Sequence, residues 1–269
     1  MKGVRNMKNR RQSAKSRKRN AILFWITSAL FLAVGSMEPS SLFIGILFAY
    51  LGFRSFALAR YEREADLKEQ KEKEAYDRFI RSLKRVEVNI ADADVPKLDA
   101  DNMPELVTLT READLQYKKC SDFIVIDVET TGRDPKEHRI LEFAAVKFSD
   151  YEPTEYITAL IDSDETGKNA MTISKALPSL IDFIGDCDAI VAHNLSYSAR
   201  FLYENGFDFF KSERRYYDTR GIAKKYFDLD NYKLKTLCGL FSIHYGDQRG
   251  ALHDCIATGQ LYKEILTDL

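Results

Sequence analysis

Four short runs of apolar and β-branched residues constrain this chain more than any other feature: FIVID (123–127), RILEFAAVKF (139–148), TEYITALI (154–161) and DAIVA (188–192). FIVID and DAIVA are continuously apolar, the signature of strands covered on both faces. The first three follow one another without a helical pattern between them, which is what hairpins produce. Helical spacing then appears in ALPSLIDFIG (176–185), YYDTRGIAKKYF (216–227), YKLKTLCGLFSI (232–243) and ALHDCIATGQLYKEIL (251–266). The expected class is α/β, a mixed sheet flanked by helices, with Asp218 as the cap of the 216–227 helix.

The first run ends in DVETTG (127–132). Residues two apart on a strand share a face, so Asp127 and Glu129 project together. Two carboxylates on one face repel each other, and a divalent cation removes that repulsion. Oxygen donors of this kind suit Mg²⁺ or Mn²⁺. Thr130, Thr131 and Gly132 turn the chain beside them and offer backbone N–H groups to a substrate. A pair of solvated acids at a strand end is the plain alternative, and the apolar strand before the pair argues against it.

The N-terminal part is different in kind. Residues 1–20 carry nine Lys/Arg and no acid, whereas residues 121–269 sum to −8 within a chain whose net charge is −1. AILFWITSALFLAVGSM (21–37) and SSLFIGILFAYLGF (40–53) carry no charge, and Glu38-Pro39 separates them. About 17–20 apolar residues span a bilayer as a helix, so residues 21–59 read as a transmembrane helical hairpin. The basic arm then places both termini and everything after residue 59 in the cytoplasm. Residues 60–85 are rich in Glu, Lys, Arg and Ala, with Glu64–Lys68 and Glu69–Lys73 at helical spacing, and read as a solvated helix. Together with 87–119, a linker with some local structure, they make residues 60–120 a connector to a domain over 121–269. Four dispersed cysteines without a C-x-x-C pair argue against a disulfide framework or a zinc site.

DVETTG, VAHN, YDT, YKLKTLC and ALHDCIATGQLY, in that order, resemble the DnaQ-like DEDDh 3′–5′ exonucleases, which have a ribonuclease-H-like fold. The resemblance covers residues 121–267 and nothing before them. It implies a domain that hydrolyses phosphodiesters at nucleic-acid 3′ ends, using four carboxylates, two metal ions and a histidine general base. Matched to this sequence, Asp127, Glu129 and Asp254 are three of the carboxylates and metal ligands. His193 and Asn194 of VAHN join Thr130, Thr131 and Gly132 as candidate substrate-binding residues, with His193 structural rather than basic.

Two positions depart from the pattern. The third carboxylate is replaced by Ser198, which also reads as an N-cap ahead of ARFL, and the histidine is replaced by Arg249. Arg249 cannot accept a proton, and losing a positioned base costs about 10²–10⁴ in rate. His253 points roughly 100° away from Asp254 on a helix and does not replace it. Three carboxylates and a guanidinium suit one Mg²⁺ or Mn²⁺ better than two, with Arg249 gripping the phosphate. Three functions stay open: a membrane-anchored exonuclease, active or impaired; a pseudo-exonuclease binding nucleic-acid ends or nucleotides; and a membrane scaffold. The acidic domain argues against avid nonspecific duplex binding, which needs basic stripes.

Overall fold

A computed structural model describes residues 39–89, 95–111, 114–115, 119–161, 171–245 and 250–269. The chain divides into two compact units, residues 1–80 and 81–269.

In the first unit, α1 (Pro39–Ser82) is one uninterrupted helix of 44 residues. The second apolar run and the charged segment, read from the sequence as separate elements, are therefore continuous. No Gly-Pro break or capping residue lies between them to stop the helix. Its i,i+4 ion pairs are Arg60–Glu64 at 2.8 Å and Lys68–Glu72 at 3.8 Å, both solvent-exposed and contributing little. Leu47, Tyr50, Phe53, Phe56 and Leu58 are exposed along its first half. Among the described residues no helix is long and apolar enough to cross a membrane. The first apolar run, 21–37, and the basic arm lie outside the described residues.

The second unit is built on a six-stranded sheet. Its strands are β1 (Lys84–Arg85), β2 (Phe123–Thr130), β3 (Ile140–Ser149), β4 (Glu152–Leu160), β5 (Ala189–Ala192) and β6 (Arg215–Asp218), in the order β1-β4-β3-β2-β5-β6. β2, β3 and β4 form the expected antiparallel meander. The β3–β4 turn is Asp150-Tyr151, with φ of 51° and 62°. Two consecutive positive φ values are what a tight two-residue hairpin requires. β5 and β6 add in parallel on the other side of β2. The helices are α2 (Ile173–Ile184), α3 (Leu195–Glu204), α4 (Thr219–Tyr226), α5 (Leu234–Leu240) and α6 (Ala251–Asp268). This is the expected mixed sheet flanked by helices.

The residues before β2 close the sheet's edges. β1 pairs in parallel with β4, with Lys84 Nζ 2.6 Å from the Glu155 carboxylate. The segment then exchanges hydrogen bonds between Asn89 and Ser179 of α2, at 2.9 and 3.0 Å. Further on, Ala100 N–H donates to Glu204 of α3 at 2.9 Å. It finally reaches β6, where Leu109 N–H donates to the Tyr216 carbonyl at 2.8 Å. Unpaired strand edges invite association with other chains, and this segment covers part of both.

Alternation along β2 sorts the domain into layers. Ile124, Ile126 and Val128 join the core that contains α2 and α3. The opposite face meets α6: Phe123 stacks on Phe148 at 4.8 Å between centroids and meets Tyr262 edge-on, also at 4.8 Å. Asp127 and Glu129 lie on this second face. From Tyr262 back to Asp254, α6 rises about 12 Å, and from Phe123 to Asp127 the strand rises about 13 Å. The aromatic contact at one end therefore brings Asp254 level with Asp127 at the other.

That contact needs Gly259. A Cβ there would sit 2.1 Å from the Phe148 ring, which the Phe123 stack holds in place. Gly259→Ala is expected to destabilise the protein by about 1–3 kcal/mol, measured as a lowered urea midpoint, and an unchanged midpoint would contradict the close approach of α6.

Candidate metal centre

β2 and α6 bring together Asp127, Glu129 and Asp254, each able to offer a carboxylate oxygen, with all three oxygens within 4.8 Å of one another. The three residues are half-buried. Burial pushes the Asp127 carboxyl well above its ordinary range, and the charges of Asp254 and Glu129 push it further. A hydrogen bond from the Val128 backbone opposes the shift. Such a crowded set of hard oxygen donors fits Mg²⁺ or Mn²⁺, whose charge would reverse this penalty.

Two neighbours absent from the sequence reading support the cluster. Tyr245 donates its hydroxyl to Asp254 at 2.9 Å, orienting that carboxylate. Glu142 stands opposite Glu129 across the β2–β3 ladder, and directly opposed residues share a face. Burial raises the Glu142 carboxyl; the Ala251 N–H and the Thr158 hydroxyl favour its ionised form, while Glu129 and Asp254 oppose it. Glu142 had a signal in the sequence, since an acid amid the apolar run RILEFAAVKF must find a partner. Tyr245 had none.

The TTG turn is occupied with its own structure. The hydroxyls of Thr130 and Tyr197 and the Gly132 carbonyl form one hydrogen-bonded group, with Thr130 and Tyr197 at 2.7 and 2.9 Å from that carbonyl. Thr131 N–H donates to the Arg139 carbonyl at 3.0 Å, and Thr131 Oγ1 accepts from Arg139 N–H at 3.1 Å. The Thr131 N–H is therefore committed to closing the 131–139 loop and is not offered to a substrate.

His193 is fully engaged within the fold. Its Nε2–H donates to the Tyr232 carbonyl at 3.0 Å, and Nδ1 accepts from the Thr219 hydroxyl at 2.9 Å. Burial lowers its pKa, which favours the neutral ring. Asn194 caps α3 in the left-handed region, φ 72°, and its N–H donates to Asp218 at 2.8 Å. Asp218 also accepts from Arg220 N–H at 3.0 Å, the cap expected of it.

Ser198 is not the N-cap that its sequence position suggested. α3 begins at Leu195, so Ser198 lies inside the first turn, buried, with a hydroxyl that has no hydrogen-bond partner among the described residues. The N-cap is instead Asn194, four residues earlier, in the left-handed conformation that asparagine tolerates. Arg249 lies outside the described residues.

With this geometry in view, comparison with known proteins is informative. The family model described as "RNase_T: Exonuclease" matches residues 124–165. A "DNA polymerase III PolC-type" of Halalkalibacterium halodurans is 32% identical over 167 residues, 55% of this chain. The present chain spans only 12% of that polymerase's length. "DNA polymerase III subunit epsilon" of Aquifex aeolicus is 28% identical over 165 residues, covering 55% of this chain and 81% of that one. Among solved structures, "Exonuclease X in complex with 5' overhanging duplex DNA" aligns with a TM-score of 0.43 and 22% identity, over 54% of this chain and 92% of that chain. The domain that carries Asp127, Glu129 and Asp254 is thus similar to DnaQ-like exonuclease domains.

A raised carboxyl pKa has a definite sign. The folded, metal-free protein holds Asp127 best when it is protonated, so this stability is fully present below the unfolded value of about 4 and is lost as pH rises through the raised folded value. Asp127→Asn mimics the protonated form. In EDTA its melting temperature is expected to match wild type near pH 4 and to exceed it increasingly toward neutral pH. A difference that ignores pH would mean that the carboxylate is not destabilised by its neighbours.

Proposed function

We propose that this protein is a membrane-tethered, metal-dependent 3′–5′ exonuclease that acts on nucleic-acid 3′ ends at a reduced rate. The observation that carries the reading is the convergence of Asp127, Glu129 and Asp254 from β2 and α6 on a space that one cation fills. Asp127, Glu129 and Asp254 hold Mg²⁺ or Mn²⁺, and Tyr245 keeps Asp254 aimed. When bound, the cation supplies Lewis-acid stabilisation of the phosphodiester's developing charge. One ion rather than two follows from the missing third carboxylate: Ser198 brings no formal charge to its position. Arg249 takes the place of the general base and, as a fixed cation, grips the phosphate instead of accepting a proton. His193 acts on the substrate only through the shape of the β5–α3 corner, since both its ring nitrogens are engaged inside the protein, while Asn194 keeps its side-chain amide for the substrate.

The tether is residues 21–59, with both termini and the exonuclease-like domain in the cytoplasm. It is supported by the two charge-free runs, the preceding basic arm and the apolar side chains exposed on the first half of α1. A pseudo-exonuclease that binds ends without cutting is the competing reading, favoured by the uncharged, buried Ser198.

Two experiments separate these possibilities. The full chain in detergent, with Mn²⁺ and end-labelled DNA or RNA, is expected to degrade the 3′ end slowly. Asp127→Ala should abolish this, and Ser198→Asp with Arg249→His should accelerate it by about 10²-fold or more. Cleavage that persists in Asp127→Ala sinks the assignment, and silence in wild type with activity in the double variant gives the binder reading. For the tether, the chain should stay with membranes through alkaline carbonate washing, and a chain lacking residues 1–59 should be released. Release of the full chain would overturn the anchor.

A further inference from the structure

We infer that Glu142 is a positioning residue for Asp254, acting through the first turn of α6. The inference rests on the reading of Asp127, Glu129 and Asp254 as a metal centre and adds to it a residue that does not itself touch the ion. Glu142 is not among the carboxylates whose oxygens share the 4.8 Å space. Its charge is repelled by Glu129 and Asp254, so attraction within the cluster does not hold it in place.

What holds it is the start of α6. The N-cap of α6 is Gly250, which has no side chain to cap the helix. The first N–H groups of any helix lack partners within it. Here the Glu142 carboxylate reaches across from β3 to this helix start, where the Ala251 N–H favours its charged form. The approach is close: a Cβ on Gly250 would lie 3.2 Å from Glu142 Oε2, and Gly250 has a φ of 150° that glycine accommodates. From the other side the Thr158 hydroxyl of β4, shared with the Phe143 carbonyl at 3.0 Å, lies 3.4 Å from Glu142 Oε1. A carboxylate at a helix N-terminus is also favoured by the helix dipole.

The consequence falls on Asp254. It lies three residues beyond Ala251, on the same side of the helix, and its own N–H closes the first turn on the Gly250 carbonyl at 3.2 Å. The Glu142 contact therefore positions the first turn of α6, and with it Asp254, against β3, while the aromatic packing seats the rest of the helix. Partners of this type, one step removed from the ligands, change metal affinity by about 10–100-fold when lost.

Two conservative variants separate reach from charge. Glu142→Gln keeps an oxygen at the same distance and loses the charge. Glu142→Asp keeps the charge and falls one methylene short of Ala251. Binding of Mn²⁺ alone to the full chain in detergent, followed by the electron paramagnetic resonance of free Mn²⁺, reads the effect without activity. Melting in EDTA verifies that each variant is folded. Glu142→Gln is expected to bind within about threefold of wild type, and Glu142→Asp about tenfold or more weakly. Wild-type affinity in both variants overturns the inference, as does a loss in Glu142→Gln equal to or greater than that in Glu142→Asp. Wild type that binds no Mn²⁺ sinks the metal centre itself and Glu142's role with it, an outcome distinct from either of those.

Discussion

Repulsion among carboxylates is the constraint around which the domain is organised. Asp127, Glu129 and Asp254 crowd one space, with Glu142 alongside, and burial makes their charges costly. Something must hold these groups together against that repulsion. The holding force is packing elsewhere: the Phe123–Phe148–Tyr262 cluster clamps α6 to the sheet two helical turns from the site. Gly259 allows the helix to approach closely enough for the clamp to close. Dispersion and hydrophobic burial at one end of α6 thus sustain electrostatic strain at the other.

The site's outer groups follow the same logic. Tyr245 places a hydroxyl donor on Asp254, while Glu142 spends its acceptor capacity on the helix terminus. The TTG turn is braced by its own hydroxyls, the Gly132 carbonyl and Tyr197. His193 ties β5 to Thr219 and to the Tyr232 loop, which leaves it no nitrogen for proton transfer. These residues form a hydrogen-bonded frame around the acids.

Much of this was legible along the chain. The meander β2–β4, strand β5, the cap at Asp218 and the last helix follow from periods of two and 3.6 and from cap chemistry, all local signals. The pair Asp127–Glu129 is equally local, being one strand face. Three features were not. Ser198 looked like a cap because serine commonly is one, but the helix is capped four residues earlier, at a left-handed Asn194. The segment before β2 looked like a linker, yet it bonds to β4, α2, α3 and β6, because its partners lie dozens of residues away. The apolar run at 40–53 and the charged run after it looked like two elements, and share one helix because propensity in both favours it.

The sequence by itself determined which residue types were available and how they alternate: apolar strands, a D-x-E pair at the end of one, an acid three residues into the last helix. These are consequences of local stereochemistry, which any stretch of chain carries with it. Tertiary structure alone decided that Asp254 arrives beside Asp127, that Glu142 turns toward Ala251, and that Ser198 is sealed inside. Those outcomes depend on the level at which α6 crosses the sheet, and that level is set by aromatic contacts between residues more than a hundred positions apart.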